Sequence, residues 1–167
     1  MWTNRSINQF NFYYFYKKNT TAVFKKETEY ALRGLVYIKL QNLNDKNPGI
    51  AEISSEIETP PHYMAKILQR LVRQGFIQSI KGKNGGYSFN SDKPDLTLKQ
   101  VIASIQGDEL FTGCGFGLKH CDENNPCPLH FTYAPIRDAL NKLVSEETIQ
   151  SLAGKNSNEL DIILNRK

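Results

Sequence analysis

The stretch TPPHYMAKILQRLVRQGFIQSIKGKNGGYSF, residues 59–89, constrains this chain more than any other. Met64, Ile67, Leu68 and Leu71 recur at helical spacing, so residues 61–74 are expected to form an amphipathic helix with one buried stripe. Pro60 and Pro61 start it, since a first helical turn tolerates a missing N–H. Gly75 closes it as a C-cap. Phe76, Ile77 and Ile80 then mark a first short strand, and Tyr87 and Phe89 a second. Between them the Asn-Gly and Gly-Gly pairs supply the positive φ angles of a tight hairpin turn. A helix that runs directly into a glycine-rich hairpin leaves few folds open.

The flanking segments narrow the choice. From Glu27, the residues Tyr30, Ala31, Leu35, Val36 and Ile38 describe a helix to about Leu40. NLNDKNPG, residues 42–49, is turn chemistry. Ile50, Ile53 and Ile57 form a short helix. The order helix, short helix, turn, helix, β-hairpin is that of a winged helix-turn-helix, so the fold class is mainly α with a small β-hairpin wing. Beyond Pro94, Leu98, Val101, Ile102 and Ile105 predict a short helix ending at Gly107. Ile136, Leu140, Leu143 and Val144 predict a longer one, with Pro135 in its first turn. A last short helix spans 146–152 and ends at Gly154. The organisation expected is a winged helix-turn-helix over 23–106, a cysteine-rich loop over 107–131, helices over 132–154 and a flexible tail over 155–167. Residues 1–22, rich in Asn, Tyr and Phe without helical spacing, are expected to be a disordered leader or an artefact of start-site choice.

The net charge of +4 is modest, but its distribution is uneven. Residues 60–91 hold no acid and five cations: Lys66, Arg70, Arg73, Lys81 and Lys83. Such groups neutralise DNA phosphates and release counterions. Tyr63, Lys66 and Gln69 are the candidates for base edges, with His62, Arg70 and Arg73 beside them and the wing lysines on phosphate or in the minor groove. The bland alternative is a solvated basic helix in a protein-binding scaffold.

All three cysteines fall in CGFGLKHCDENNPCPLH, residues 114–130, spaced C-x6-C-x5-C with a histidine three residues after the last. Glycine, asparagine, aspartate and proline surround them and offer no apolar packing, so thiolate and imidazole together point to a soft or borderline metal. Cys3His suits zinc, although structural zinc sites usually carry close C-x2-C pairs and this loop has none. Metal-free thiols that sense oxidants are a further alternative. An odd cysteine count without a secretory signal or an apolar run of membrane length makes the cytoplasm the default. An enzyme built on a Cys127–His130 pair is disfavoured, because the chain lacks a phosphate loop or a paired-carboxylate motif.

KETEYALR from Lys26, then TPPHYMAKILQRLVRQGFI, then KGKNGGY from Lys81, resemble the Rrf-two-type bacterial transcription regulators, together with the three-cysteine loop of their IscR-like and NsrR-like members. The resemblance covers about 23–155. It implies a homodimeric winged-helix repressor or activator reading a palindromic double-stranded operator. The long helix after the cysteine loop would cross its partner through Ile136, Leu140, Leu143 and Val144. It also implies an iron–sulfur cluster, 2Fe-2S or 4Fe-4S, on Cys114, Cys121 and Cys127. The fourth ligand would be His130, as in IscR-like members, or Glu29 from the other subunit, as in NsrR-like members. Two features depart from the commoner pattern: x6 rather than x5 after the first cysteine, and an extra histidine, His120.

Overall fold

The computed structural model describes residues 23–155 except Cys121; the leader, the tail beyond Lys155 and Cys121 lie outside the described residues. Seven helices and one hairpin are present among them: α1 (Lys26–Leu43), α2 (Ile50–Glu56), α3 (Pro61–Arg73), β1 (Gln78–Ile80), β2 (Gly86–Ser88), α4 (Leu98–Gln106), α5 (Glu109–Thr112), α6 (His130–Glu146) and α7 (Ile149–Ala153). None of the described helices is long and apolar enough to cross a membrane.

α1 is the central element. Ala31, Gly34, Leu35, Val36, Tyr37 and Ile38 are all buried, a wider arc than one amphipathic face, because the helix has neighbours on several sides. It packs on α2 and α3, on β2, and on α4 and α7. Tyr37 donates its hydroxyl to Glu52 at 2.9 Å, and burial raises its pKa well above the ordinary tyrosine value. The stripe of α3 closes the core from the other side: Met64, Ile67, Leu68 and Leu71 are buried beside Ile53 and Ile57. α3 ends as its sequence predicts. Gly75 has φ +72°, its N–H reaches the Val72 carbonyl at 2.9 Å, and the Phe76 N–H reaches Leu71 at 3.0 Å. These are the two bonds of a Schellman cap.

The hairpin is shorter than its apolar residues suggest. Gln78↔Ser88, Ser79↔Tyr87 and Ile80↔Gly86 pair antiparallel. Phe76 and Ile77 lie before the first strand, where the chain is still finishing the helix cap and Ile77 turns into the core; Phe89 lies just past the second. The turn between α1 and α2 holds the wing in place. The Tyr87 N–H donates to Pro48 at 3.0 Å, and the Asn42 amide bonds the Tyr87 carbonyl (3.2 Å) and the Phe89 N–H (2.9 Å).

The C-terminal half differs from expectation in three places. α5 is a one-turn helix that buries Phe111; it is too short to carry a periodic signal. α6 begins at His130, so Pro135 lies inside the helix rather than in its first turn. The proline gives up the N–H that would bond the carbonyl four residues back, and α6 runs through this loss while packed on α4 and α5. The last helix starts at Ile149, not 146, because Thr148 forms a capping box with Ser151 and leaves Glu147 and Thr148 extended. That extended pair bonds back to the chain before α4: the Leu98 N–H reaches Glu147 at 3.0 Å, and the Ile149 N–H reaches Leu96 at 2.8 Å.

Candidate functional site

The outer face of α3 carries His62, Lys66, Gln69 and Arg73, all exposed and spaced i, i+4, i+7 and i+11. They form one continuous stripe opposite the buried leucines. Lys81 and Lys83 are exposed in the turn of the wing. The remaining two residues expected to face DNA are partly engaged within the protein. Tyr63 is half-buried and meets Tyr30 of α1 edge-on, with ring centroids 5.9 Å apart. Burial pushes its hydroxyl pKa up, with the Glu27 charge adding. Arg70 stands 3.6 Å from the Glu27 carboxylate, with both side chains about one-third exposed. Glu27 is a part of this surface that sequence reasoning missed. The α3–wing segment itself contains no acid; this one arrives from α1, 43 positions upstream of Arg70.

The cysteine loop leaves α5 at Gly113 and enters α6 at His130. The Gly117 N–H donates to the Cys114 carbonyl at 2.9 Å, with Gly117 at φ +79°, which curls the backbone around Cys114. Backbone N–H groups, of Leu118 first and Phe116 next, hold the Cys114 thiol pKa below its ordinary value against some burial; the Cys127 thiol and the Gly117 N–H add to this. Gly115 lies against the Tyr133 ring, which would stand 2.6 Å from a Cβ there, so only glycine fits. At the other end of the loop the His130 N–H donates to the Cys127 carbonyl at 2.9 Å.

The fold brings Cys114 and Cys127 together, thirteen positions apart, with their Sγ atoms 3.9 Å apart. Both are free thiols, partly exposed. Two thiolates on one tetrahedral metal, at about 2.3 Å per bond, stand about 3.8 Å apart, so this pair fits a common metal atom. Cys121 is the thiol outside the described residues. His130 is 5% exposed and lies edge-on to Phe131. Glu29 is bonded to Lys26 Nζ at 2.9 Å, its side chain 12% exposed. His120 is exposed on the loop. Among the described residues no three His, Cys, Asp or Glu side chains converge as a metal-holding group.

On α6, Ile136 and Leu143 are 65% and 53% exposed. Leu140 is half-buried at the edge of the core, and Val144 is fully buried within its own chain.

Known proteins are similar to this chain in sequence and in fold. The NsrR regulator of Oceanobacillus iheyensis is 26% identical over 137 residues, covering 81% of this chain and 92% of its own. The IscR regulator of Photorhabdus laumondii is 23% identical over 139 residues, covering 78% and 84%. Among solved structures, CymR, the global cysteine regulator of B. subtilis, superposes with a TM-score of 0.64 at 20% identity, over 80% of this chain and 98% of its own. The same fold recurs in T. potens IscR, with a TM-score of 0.59 at 13% identity over 77% and 83%. The family model of the Rrf2 proteins, described as iron-dependent transcriptional regulators, matches residues 24–155, which span the winged helix, the cysteine loop and the helices behind it. The chain therefore belongs to the Rrf2 family of DNA-binding transcriptional regulators, and it is not an enzyme.

Proposed function

We propose that this chain is a cytoplasmic homodimeric regulator whose operator binding is modulated by an iron–sulfur cluster on Cys114, Cys121 and Cys127, with His130 or the partner copy's equivalent of Glu29 as fourth ligand. The observation that carries the reading is the 3.9 Å approach of the Cys114 and Cys127 sulfurs in the loop between the winged helix and α6. A cluster there would tie the thiolates into one rigid body and make the loop sensitive to redox state, nitric oxide or iron–sulfur supply. The rest follows from the chain's own residues. Backbone N–H groups favour the Cys114 thiolate as a ligand. Tyr133 on α6 clamps the loop at Gly115. The stripe His62, Lys66, Gln69 and Arg73, with Lys81 and Lys83 of the wing, meets the DNA. Two copies joined along α6 through Ile136, Leu140 and Leu143, backed by Val144, present two α3 helices to half-sites about one helical turn apart. A coupling of about 1–3 kcal/mol between loop and operator makes a useful switch.

The test is the visible spectrum of anaerobically purified protein together with its affinity for a duplex selected from random sequence. Charge-transfer absorbance that is lost in Cys127→Ala, and a DNA affinity that changes when the cluster is removed, are the expected results. Colourless protein that carries zinc sinks the cluster. A second reading has its own support: the same two free thiols are near enough to close a disulfide after a small backbone movement, with two electrons passing to an oxidant such as a peroxide. It requires colourless, metal-free protein in which peroxide, and not chelation, changes DNA affinity.

A further inference from the structure

The first turn of α1 is held from two sides. On one side stands Gln106, the last residue of α4. Its side-chain oxygen accepts the Lys25 backbone N–H at 2.9 Å and the Thr28 hydroxyl at 2.8 Å. Lys25 is the N-cap of α1 and makes no side-chain cap of its own. Thr28 is fully buried, so its hydroxyl has no water to turn to if the acceptor leaves. A partner some eighty positions away thus accepts the N-cap N–H, the contact that a Glu or Gln at the third helical position gives locally in a capping box. Gln106 is followed by Gly107 at φ +89° and by α5, which leads to Cys114. On the other side, the same turn of α1 touches α3. Glu27 pairs with Arg70 at 3.6 Å, and Tyr30 meets Tyr63 edge-on.

We infer that Gln106 is a positioning residue that transmits the state of the cysteine loop to α3 through the first turn of α1. The inference rests on the reading of that loop as a sensor. A displacement of the loop acts on Gly107 and so on the Gln106 amide. Two hydrogen bonds, one to a buried hydroxyl, make the first turn of α1 follow the amide or lose its cap. Either outcome moves Glu27 and Tyr30. Glu27 competes with DNA phosphate for Arg70, so its position sets how freely that cation is offered.

Hydrogen exchange read by peptide mass spectrometry on the full-length, cluster-free protein tests this, with the loop thiols reduced or carbamidomethylated. In the wild type, modification is expected to change exchange in peptides covering the first turn of α1 and α3 by about threefold or more, as well as in the loop. In Gln106→Met, similar in length but lacking the acceptor, the loop still responds and α1 and α3 do not. Gln106→Glu, whose carboxylate accepts both donors, restores the response. Thr28→Val removes one of the two bonds without stranding a donor, and keeps about half of it. Modification that alters exchange in the loop alone in the wild type overturns the inference, as does a Gln106→Met or Thr28→Val response equal to wild type. The failure of the cluster reading is visible separately, as missing visible absorbance, and leaves this result standing.

Discussion

Two glycines respond in opposite ways to one added methyl group. Gly34 sits in mid-α1, where a Cβ would meet the Met64 methyl at 3.6 Å and the side chains of Ile53 and Ile57 at 3.7 Å, all ordinary contact distances. Glycine there costs helix stability without a steric reason, so Gly34→Ala is expected to stabilise the protein by about 0.5–1 kcal/mol and to raise Tm by about 1–4 °C. Gly86 opens the second strand at φ +156°, and a Cβ would fall on the Asn47 carbonyl oxygen, with Pro48 close behind. Those neighbours are backbone and cannot swing away, so Gly86→Ala is expected to cost about 1–3 kcal/mol. Thermal unfolding of both variants checks the pair, and a lower Tm for Gly34→Ala would show a tighter α1–α3 contact than these distances allow. Cys114 makes a prediction in pH. Its folded thiol pKa lies below the ordinary value, through the N–H groups of Leu118 and Phe116 first. The thiolate therefore persists to lower pH than in an unfolded chain. Its stabilisation is fully present above the unfolded thiol pKa and is lost as pH falls through the folded one. In cluster-free protein, iodoacetamide should modify Cys114 with a midpoint below the ordinary thiol value. Cys127→Ala should move that midpoint upward by part of the shift, because the backbone donors remain. A Cys114 profile that matches a model thiol rejects the nest of donors.

α3 separates stability from recognition on one element. Leu68→Ala opens the core at a fully buried position and is expected to cost about 2–5 kcal/mol. Lys66→Ala, on the exposed stripe, should leave stability within about 0.5 kcal/mol while lowering the slope of log affinity against log salt by about one. Denaturant unfolding and a salt titration on the selected duplex read the two effects, and an unchanged slope removes Lys66 from the interface. α3 was legible in the sequence because its signals are local: the four-residue apolar stripe, the prolines that start it and the glycine that ends it. That a wing is present was legible from its glycines, though not the lengths of its strands nor its turn: the positive φ angles fall at Gly82 and Gly86, not at Asn84 and Gly85 where the Asn-Gly pair places them. Elsewhere local pattern gave way to tertiary contact. α5 is a single turn, stabilised by burial of Phe111. α6 runs through Pro135 because it starts further back, at His130, which no apolar repeat marks. α7 starts late because Glu147 and Ile149 bond Leu98 and Leu96, with Thr148 opposite Thr97, some fifty positions upstream. The approach of Cys114 to Cys127 could be suspected from composition. The Glu27–Arg70 pair and the Gln106 contacts could not, since nothing near either residue in sequence signals its partner.

At the scale of the molecule, α6 exposes an apolar stripe among the described residues. Ile136 and Leu143 lie on the same side of α6, two turns apart, with Leu140 between them at the edge of the core. Lys142 and Glu146, 3.9 Å apart and paired with each other, lie beside the C-terminal end of this stripe. Val144, although on the same apolar repeat, packs inward and anchors α6 to its own core. Sequence periodicity alone could not separate it from the residues that face outward. The division has a testable consequence. Ile136→Glu with Leu143→Glu alters only exposed positions, so the helical content and unfolding of each chain should be preserved, whereas Val144→Glu buries an unpaired charge and should unfold the protein. In sedimentation equilibrium the double variant is expected to run as a monomer at concentrations where the wild type is a dimer. Its affinity for a palindromic duplex should fall by about 10²–10⁴, because the second half-site no longer binds intramolecularly, while affinity for a single half-site stays near the wild-type value. A double variant that remains dimeric would remove α6 as the seam between copies. If it is monomeric but still reads the palindrome at full strength, a single winged helix suffices and the half-site geometry proposed for this protein is wrong.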